Sequence, residues 1–435
     1  MTDASKAAAR RAWVLACGAR YWPDGVARIA VLPLPEAPIS GDAGALLQVA
    51  LPGWAADIGV NGALLAYSSA MIAGEAPESW RRCDWIATAW HMLAGSLERT
   101  FEAQHGPALS YAFRLPADMQ PLFEQAWVNR IFLFLRRWAA RESGLPEEAL
   151  FGPLPAASII LTHDVDAIRL TPEIRAKQTA FQLANAVRAV LGDRFGTARN
   201  RLRDASRFAF GAGDLRTLER VRDMERAAGL RSTLHFYGGK PGLRRGSPRR
   251  LLIDPAYDIS SPYMREQLAA LRDGGWTVGL HQSFEAWVDP AQMAAERERV
   301  AEAARTGITH CRQHWLHFSW ASTWAAQAAA GLSCDSTLGF NDRAGFRAGH
   351  ALRIRPWDFS GEAPIGIEAV PMLFMDSHFY DYAGADAPPV ATEMKRWLNE
   401  VWFVGGEVTV NWHTHTITDA YGWGEGYEDL LGLLG

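Results

Sequence analysis

Six short polar clusters in the second part of the chain each follow an apolar run. The first is Thr162-His163-Asp164-Val165-Asp166, behind Ser158-Ile159-Ile160-Leu161. Two carboxylates two residues apart at a strand end point the same way, so they can share a divalent metal or divide base and ligand roles. Asp-x-Asp also occurs in solvated turns and in glycosyltransferases that hold a nucleotide sugar through a metal, so alone it decides nothing. The second cluster, Gly279-Leu280-His281-Gln282-Ser283-Phe284-Glu285, places Glu285 four residues after His281. If a helical turn begins there, both side chains reach one ion. A strand-end His beside a solvated Glu is the plain alternative. Arg312-Gln313-His314 ends the next run, with His317 three residues on, and Arg312 can orient a carboxylate through its planar fork. Asp335, Met375-Asp376 and Asn411-Trp412-His413-Thr414-His415 end the last three. Any one of these can be a satisfied polar group at the rim of a sheet. Their common placement argues for one site.

The elements that must position these clusters are short apolar strands separated by helices. The strands read as 158–163, 231–237, 276–281, 309–315, 333–339, 367–375 and 407–413. Helices read over 214–228 and after Asp289-Pro290, an N-cap followed by Pro at the first helical position. Apolar strands alternating with helices imply an α/β protein with a parallel sheet. The unit count predicts a distorted (β/α)7-type barrel over 151–435, with functional residues at the carboxyl ends of the strands. Residues 1–150 read as an N-terminal α+β extension, a supporting domain bounded by Gly152-Pro153-Leu154-Pro155. Helical stripes there run through Ile86, Trp90, Leu93, Leu97 and Phe101, and through Trp127, Ile131, Phe134, Leu135 and Trp138. A basic helical insertion occupies about 169–228, and 169–250 carries nineteen Lys or Arg against seven acids. It reads as a solvated insertion or as a surface that meets an anion, whether a phosphate or a membrane face.

The chain of 435 residues is 49% hydrophobic and 21% charged, which excludes disorder and collagen-like structure. A net charge of -4 and a pI near 6.3 argue against a dedicated nucleic-acid binder. Cys17, Cys83, Cys311 and Cys334 are scattered, as in a protein of a reducing compartment. Arg10-Arg11 precede an apolar run, Ala12 to Cys17, that is shorter than the roughly 7–15 residues of a secretory signal core. That run reads as a first buried strand. No stretch approaches the roughly 18 apolar residues of a membrane span. The expected location is the cytoplasm. The 18 Trp are an excess compatible with stacking on sugars, because indoles serve there as well as in cores.

In order and spacing, these motifs resemble the polysaccharide deacetylase superfamily of NodB-type carbohydrate esterases. The closer likeness is to a branch with Thr-His-Asp-Val-Asp and a long N-terminal extension, and it covers about 158–435. The resemblance implies Asp164 as general base and Asp166 as metal ligand. Arg231-Ser232-Thr233-Leu234-His235-Phe236 matches the family's next strand. The family's His-x-x-x-His falls on His281 and Glu285, so the second His is replaced by a carboxylate. Either Glu285 ligates in its stead, or it points away and a water or a different His completes the shell. The family's base-orienting Arg matches Arg312, without the usual Pro after it. The general-acid His matches Trp412-His413, and Asp335 is a candidate for tuning that acid.

By that resemblance the chain is a metal-dependent de-N-acylase acting on an N-acylated amino sugar. The expected cofactor is a divalent ion, foremost Zn2+, with Co2+, Ni2+ or Mn2+ as alternatives. Without an export signal, the expected substrate is a nucleotide- or lipid-carrier-linked sugar in the biosynthesis of a bacterial surface polysaccharide such as O antigen or capsule. Trp287, Trp315 and Trp412 are candidate sugar platforms, with core packing as the competing role. Asp335 and Arg347 are further substrate-side candidates, and the basic insertion offers peripheral membrane contact. No nucleic-acid partner is expected. Two rival readings are a glycan-binding protein whose metal site has decayed, and an Asp-x-Asp glycosyltransferase.

Overall fold

The computed structural model describes residues 2–39, 41–74, 78–107, 116–169, 172–192, 195–211, 217–240, 254–383 and 387–435. Arg194, part of the basic insertion, and Asp214 to Arg216 at the start of the expected 214–228 helix lie outside them. The protein is mixed α/β. Its large sheet has eight strands: β1 (Ser158–Val165), β2 (Thr233–Tyr237), β3 (Thr277–Gln282), β4 (His310–Gln313), β5 (Cys334–Asp335), β6 (Glu368–Ala369), β7 (Met372–Met375) and β8 (Glu407–Asn411). They are ordered β6-β5-β4-β3-β2-β1-β8-β7.

Strands β1 to β4 pair in parallel with consecutive neighbours. Each is short, almost wholly buried and followed by a helix or helical turn, the pattern of a covered parallel sheet. The run 367–375, which reads as one strand in the sequence, is two. Val370 and Pro371 interrupt it, since Pro lacks the N–H a ladder needs. Its halves stand at opposite ends of the strand order, so one continuous segment supplies both sheet edges.

Two compact units divide the chain. One comprises Met1–Ile159, Leu316–Leu373 and Trp397–Thr409; the other comprises Ile160–Trp315, Phe374–Arg396 and Val410–Gly435. In the first, Ala12 to Cys17 belong to a helix, Asp3–Cys17, rather than to the expected strand. Thr2 caps it by accepting from the Ser5 amide at 3.2 Å, and the Ala-rich first turns favour helix. Arg10, Trp13 and Val14 then fall on one buried face. The stripe from Ile86 to Phe101 is broken into Trp85–Leu93 and Ser96–His105 by Gly95, at φ 66°. The next helix, Trp127–Ser143, stops where Gly144 turns left-handed. Tryptophans pack edge-on in this unit, as in Trp13–Trp90 at 5.3 Å and Trp80–Trp138 at 4.9 Å. Thirteen of the 18 Trp are buried, so the excess serves mainly packing.

In the second unit, helices Thr217–Ala227, Pro262–Asp273 and Pro290–Ala304 connect the strands, and a hairpin of Pro172–Leu191 and Phe195–Phe210 follows β1. Asp289 caps its helix by accepting from Gln292 N at 2.9 Å, with Pro290 at the first helical position, as its residue types predict. None of the four cysteines forms a disulfide. No helix among the described residues is long and apolar enough to cross a membrane.

Candidate active site

The polar strand ends of the second unit converge. Asp164 lies inside β1 and Asp166 one residue beyond it, so both side chains leave the same face of the strand. Register sets Asp164 beside His235, and His281 beside Arg312. Parallel pairing thus turns positions scattered over about 150 residues into neighbours.

Asp166, His281 and His314 form one group whose candidate ligand atoms lie within 4.8 Å of one another. Asp166 Oδ1 is 3.3 Å from His281 Nε2 and 3.7 Å from His314 Nε2. Among the described residues this oxygen is buried without a hydrogen bond. Each imidazole is held through its other nitrogen. His281 Nδ1 donates to the Arg312 carbonyl at 2.9 Å, and His314 Nδ1 faces Asp254 Oδ1 at 3.2 Å. Both Nε2 atoms are therefore turned toward the Asp166 oxygen, the orientation that histidine ligands of a metal take. An orphaned carboxylate oxygen facing two such nitrogens fits a divalent ion that accepts N and O ligands, as zinc does.

Glu285 is outside this group. The chain after His281 does not begin a helical turn at once: β3 continues to Gln282, Ser283 stays extended, and Glu285 enters a separate 3-10 helix, Phe284–Val288. Glu296 accepts from the Ser283 amide and Asp254 from the Phe284 amide, both at 2.9 Å, fixing that path. The i to i+4 geometry that the spacing suggested is absent, and the second imidazole comes from the turn directly after the next strand. Trp315, directly after His314, sits at φ 57°, a left-handed conformation costly for a bulky residue and concentrated at functional sites.

Asp164 is the anionic partner. Its Oδ1 accepts from Arg312 Nη1 at 3.1 Å and its Oδ2 from Asn411 Nδ2 at 3.1 Å, while Arg312 also donates to Asn411 Oδ1 at 2.8 Å. Burial alone would raise the Asp164 carboxyl, but the Arg312 guanidinium, with His281 and His235, holds it well below the usual carboxylate range. His235 Nδ1 stands 3.4 Å from Asp164 Oδ1, and burial lowers this imidazole to about 3, against the pull of Asp164, so it is neutral. Gly279 makes room for it: a Cβ there would lie 2.7 Å from His235 Cδ2.

His413 takes the opposite state. Its Nδ1 is 2.7 Å from Asp376 Oδ1, and Asp376 Oδ2 accepts from the His413 amide at 3.0 Å and from Thr416 Oγ1 at 2.6 Å. Burial would lower the imidazole, but Asp376, then Asp166 and Asp164, lift it to about 10. The free Nε2 faces Asp166 Oδ2 at 3.7 Å. The carboxylate on His413 is therefore Asp376, not Asp335.

Behind the site, His163 is fully buried, with Nδ1 against the Trp412 carbonyl at 2.5 Å and Nε2 against Glu225 Oε1 at 2.7 Å. Glu225 also accepts from Ser232, Trp276 and Tyr427, which satisfies both oxygens. This network ties the residue before Asp164 to the residue before His413.

Asp335 and Arg347 both lie in the first unit. Asp335 accepts from Trp324 Nε1 at 3.0 Å, Gln327 Nε2 at 2.8 Å and the Thr337 amide at 3.1 Å. Arg347 makes a buried pair with Glu98, donating Nε at 2.9 Å and Nη2 at 2.7 Å. Both groups are committed to holding that unit together. Trp412 is fully buried between Tyr380 and Tyr427, the packing role weighed beside the platform reading, whereas Trp315 is half-buried beside His314. The sequence reading passed over three residues with a place here: His314 as a group member, Asp376 as the His413 partner and His235 beside Asp164. Each stood at or within a strand already marked.

No family model and no curated protein matches the sequence. Among solved structures, the chain is similar to that of a "putative polysaccharide deacetylase" from Mycobacterium smegmatis. The identity is 16% and the TM-score 0.37, over 64% of this chain and 87% of that one. Likeness at that level says nothing about activity.

Proposed function

We propose that the chain is a metal-dependent de-N-acylase of the polysaccharide deacetylase type, with a distorted (β/α)7-type barrel. The supporting observation is the opposed tuning of Asp164 and His413 around one Asp–His–His group. A carboxylate held ionised and an imidazole held protonated are an assigned base and acid. The sheet supports the barrel, because its two edges belong to one segment.

Asp166, His281 and His314 would hold the cation. When bound, it supplies Lewis-acid polarisation of the acyl carbonyl and makes a nearby water more acidic. Asp164 accepts the proton of the attacking water as its oxygen bonds to the acyl carbon. Arg312 keeps that carboxylate ionised and aimed, and Asn411 fixes its second oxygen. His413 gives its Nε2 proton to the sugar nitrogen as the C–N bond breaks, and Asp376 holds the ring by Nδ1 throughout. The products are a free amino sugar and a carboxylic acid. Trp315, half-exposed next to His314, is better placed as a sugar platform than the buried Trp412, and Trp287 is likewise only partly buried. In this reading residues 1–150 are support, and the substrate is an amino sugar of a surface polysaccharide handled in the cytoplasm, on a nucleotide or lipid carrier.

Elemental analysis of the purified protein beside His314→Ala and Glu285→Ala tests the site directly. About one equivalent of a transition ion, lost with His314→Ala and kept with Glu285→Ala, is expected. Retention in His314→Ala with loss in Glu285→Ala would overturn the assignment. Metal-loaded protein that releases no acid from N-acetyl or N-formyl amino sugars would overturn the reaction and favour the glycan-binding reading.

A further inference from the structure

The helical hairpin after β1 carries a surface that the proposed chemistry does not use. Its helices, Pro172–Leu191 and Phe195–Phe210, run antiparallel: Arg175 donates to the Phe208 carbonyl at 3.0 Å, and Arg201 to Gln182 Oε1 at 3.2 Å. Gln182, Ala186 and Ala189 are buried on the inner side of the first helix, and Ala198 and Ala205 on that of the second. The outer side is apolar where it should be polar. Ala176, Ala180, Leu183, Val187 and Val190 follow one another at spacings of four and three residues, and all are exposed. Two of the three most exposed apolar residues of the hairpin flank its far end, Leu191 at 81% and Phe195 at 66%, and the third, Phe210 at 88%, closes its base. Of eighteen exposed large hydrophobic residues in the described chain, eight belong to this hairpin, which is less than a tenth of the sequence. Soluble surfaces rarely concentrate apolar side chains in this way without a partner.

Charge says which partner fits. Arg188 is exposed beside the apolar stripe, and Arg199 and Arg203 are exposed one turn apart on the second helix. By sequence, 172–210 hold eight Lys or Arg against three acids, in a chain whose net charge is -4. A second copy of the chain would bring arginines against arginines. An anionic bilayer instead accepts both features at once, the apolar residues at the headgroup boundary and the arginines at lipid phosphates. We propose that this hairpin docks the protein on an anionic membrane surface, far end first.

Its base is fastened to the elements that carry the site. Arg201 donates to the Tyr380 carbonyl at 3.1 Å, at the end of the Asp376–Tyr380 helix. Phe208 packs on Ala167, one residue after Asp166, and edge-on against Tyr421 at 4.6 Å. Tyr421 in turn meets His415 at 4.8 Å. A membrane held by the hairpin would hold these loops near its surface, where a sugar on a lipid carrier would be presented. The docking itself stands whether or not the de-N-acylase reading does.

The test is flotation of the full-length protein with vesicles of phosphatidylcholine alone or with roughly 30% phosphatidylglycerol. Binding to the anionic vesicles is expected, weaker by about tenfold on phosphatidylcholine alone or at ~0.5 M salt. The double variants Leu191→Glu/Phe195→Glu and Arg199→Glu/Arg203→Glu each lose about tenfold in binding, with thermal melting unchanged because these side chains are exposed. No binding to anionic vesicles, or equal binding by both variants, overturns the proposal. Concentration-dependent self-association that Leu191→Glu/Phe195→Glu dissolves, without vesicle binding, overturns it in favour of a second copy.

Discussion

Replacing Asp376 by Asn changes the charge on His413 while keeping nearly the same shape. Burial would lower this imidazole, and Asp376 is the first of the groups that instead lift it to about 10. At pH 8 a group with that pKa is ~99% protonated, whereas an imidazole near its ordinary 6.5 is about 3% protonated. At pH 6 the second figure recovers to about 75%. The ratio of wild-type to Asp376→Asn kcat/KM should therefore grow by up to about 25-fold between pH 6 and pH 8, on top of a pH-independent loss from misorientation. The assay is acid release from an N-acylated amino sugar across that range, with the alkaline limb read in both proteins. Stability follows the same sign. Because the folded pKa is raised, the pair's contribution is complete below about 6.5 and is lost as pH climbs through about 10. The melting-temperature gap between the two proteins should thus close over that window. An activity ratio independent of pH, or coincident alkaline limbs, would refute His413 as the proton donor tuned by Asp376.

Three further outcomes follow from the packing. Arg312→Met leaves the buried Asp164 charge without its main cation, so stability at pH 7 should fall by about 3–5 kcal/mol in denaturant titration. The depressed Asp164 pKa means that this contribution is present above about 3.9 and lost as pH falls further, so the variant should show less acid-dependent loss than wild type. Gly279→Ala sets a methyl 2.7 Å from His235 Cδ2 and 3.1 Å from the His310 carbonyl, and should destabilise by about 1–3 kcal/mol. An unchanged melting temperature there would show that the His235 ring is free to move. Glu225→Gln removes the charge on which Ser232, Trp276, Tyr427 and His163 converge, so a loss of about 2–4 kcal/mol is expected by chemical denaturation.

The features legible in the chain were local. Alternating apolar runs and capped helices specified an α/β chain, because period and caps are properties of neighbouring residues. Polar groups at strand ends marked Asp164, Asp166, His281, Arg312 and His413 for the same reason. Partner choice was not local. His281 and Glu285 looked like a pair because four residues make one helical turn, yet Ser283 stays extended and the second imidazole arrives from the turn after β4, thirty-three positions after His281. Asp376 rather than Asp335 meets His413, and Trp412 and Arg347 are consumed by packing and by Glu98. The N-terminal helix was misread as a strand because six apolar residues carry no usable period until Thr2 and the alanines before them are counted. The exposed face of the basic hairpin was likewise undecidable, since an apolar stripe reads the same whether the fold buries it or leaves it to solvent. Which side chains share a carboxylate, and which apolar faces go uncovered, depend on register between strands far apart in the chain. Only the tertiary structure sets that register.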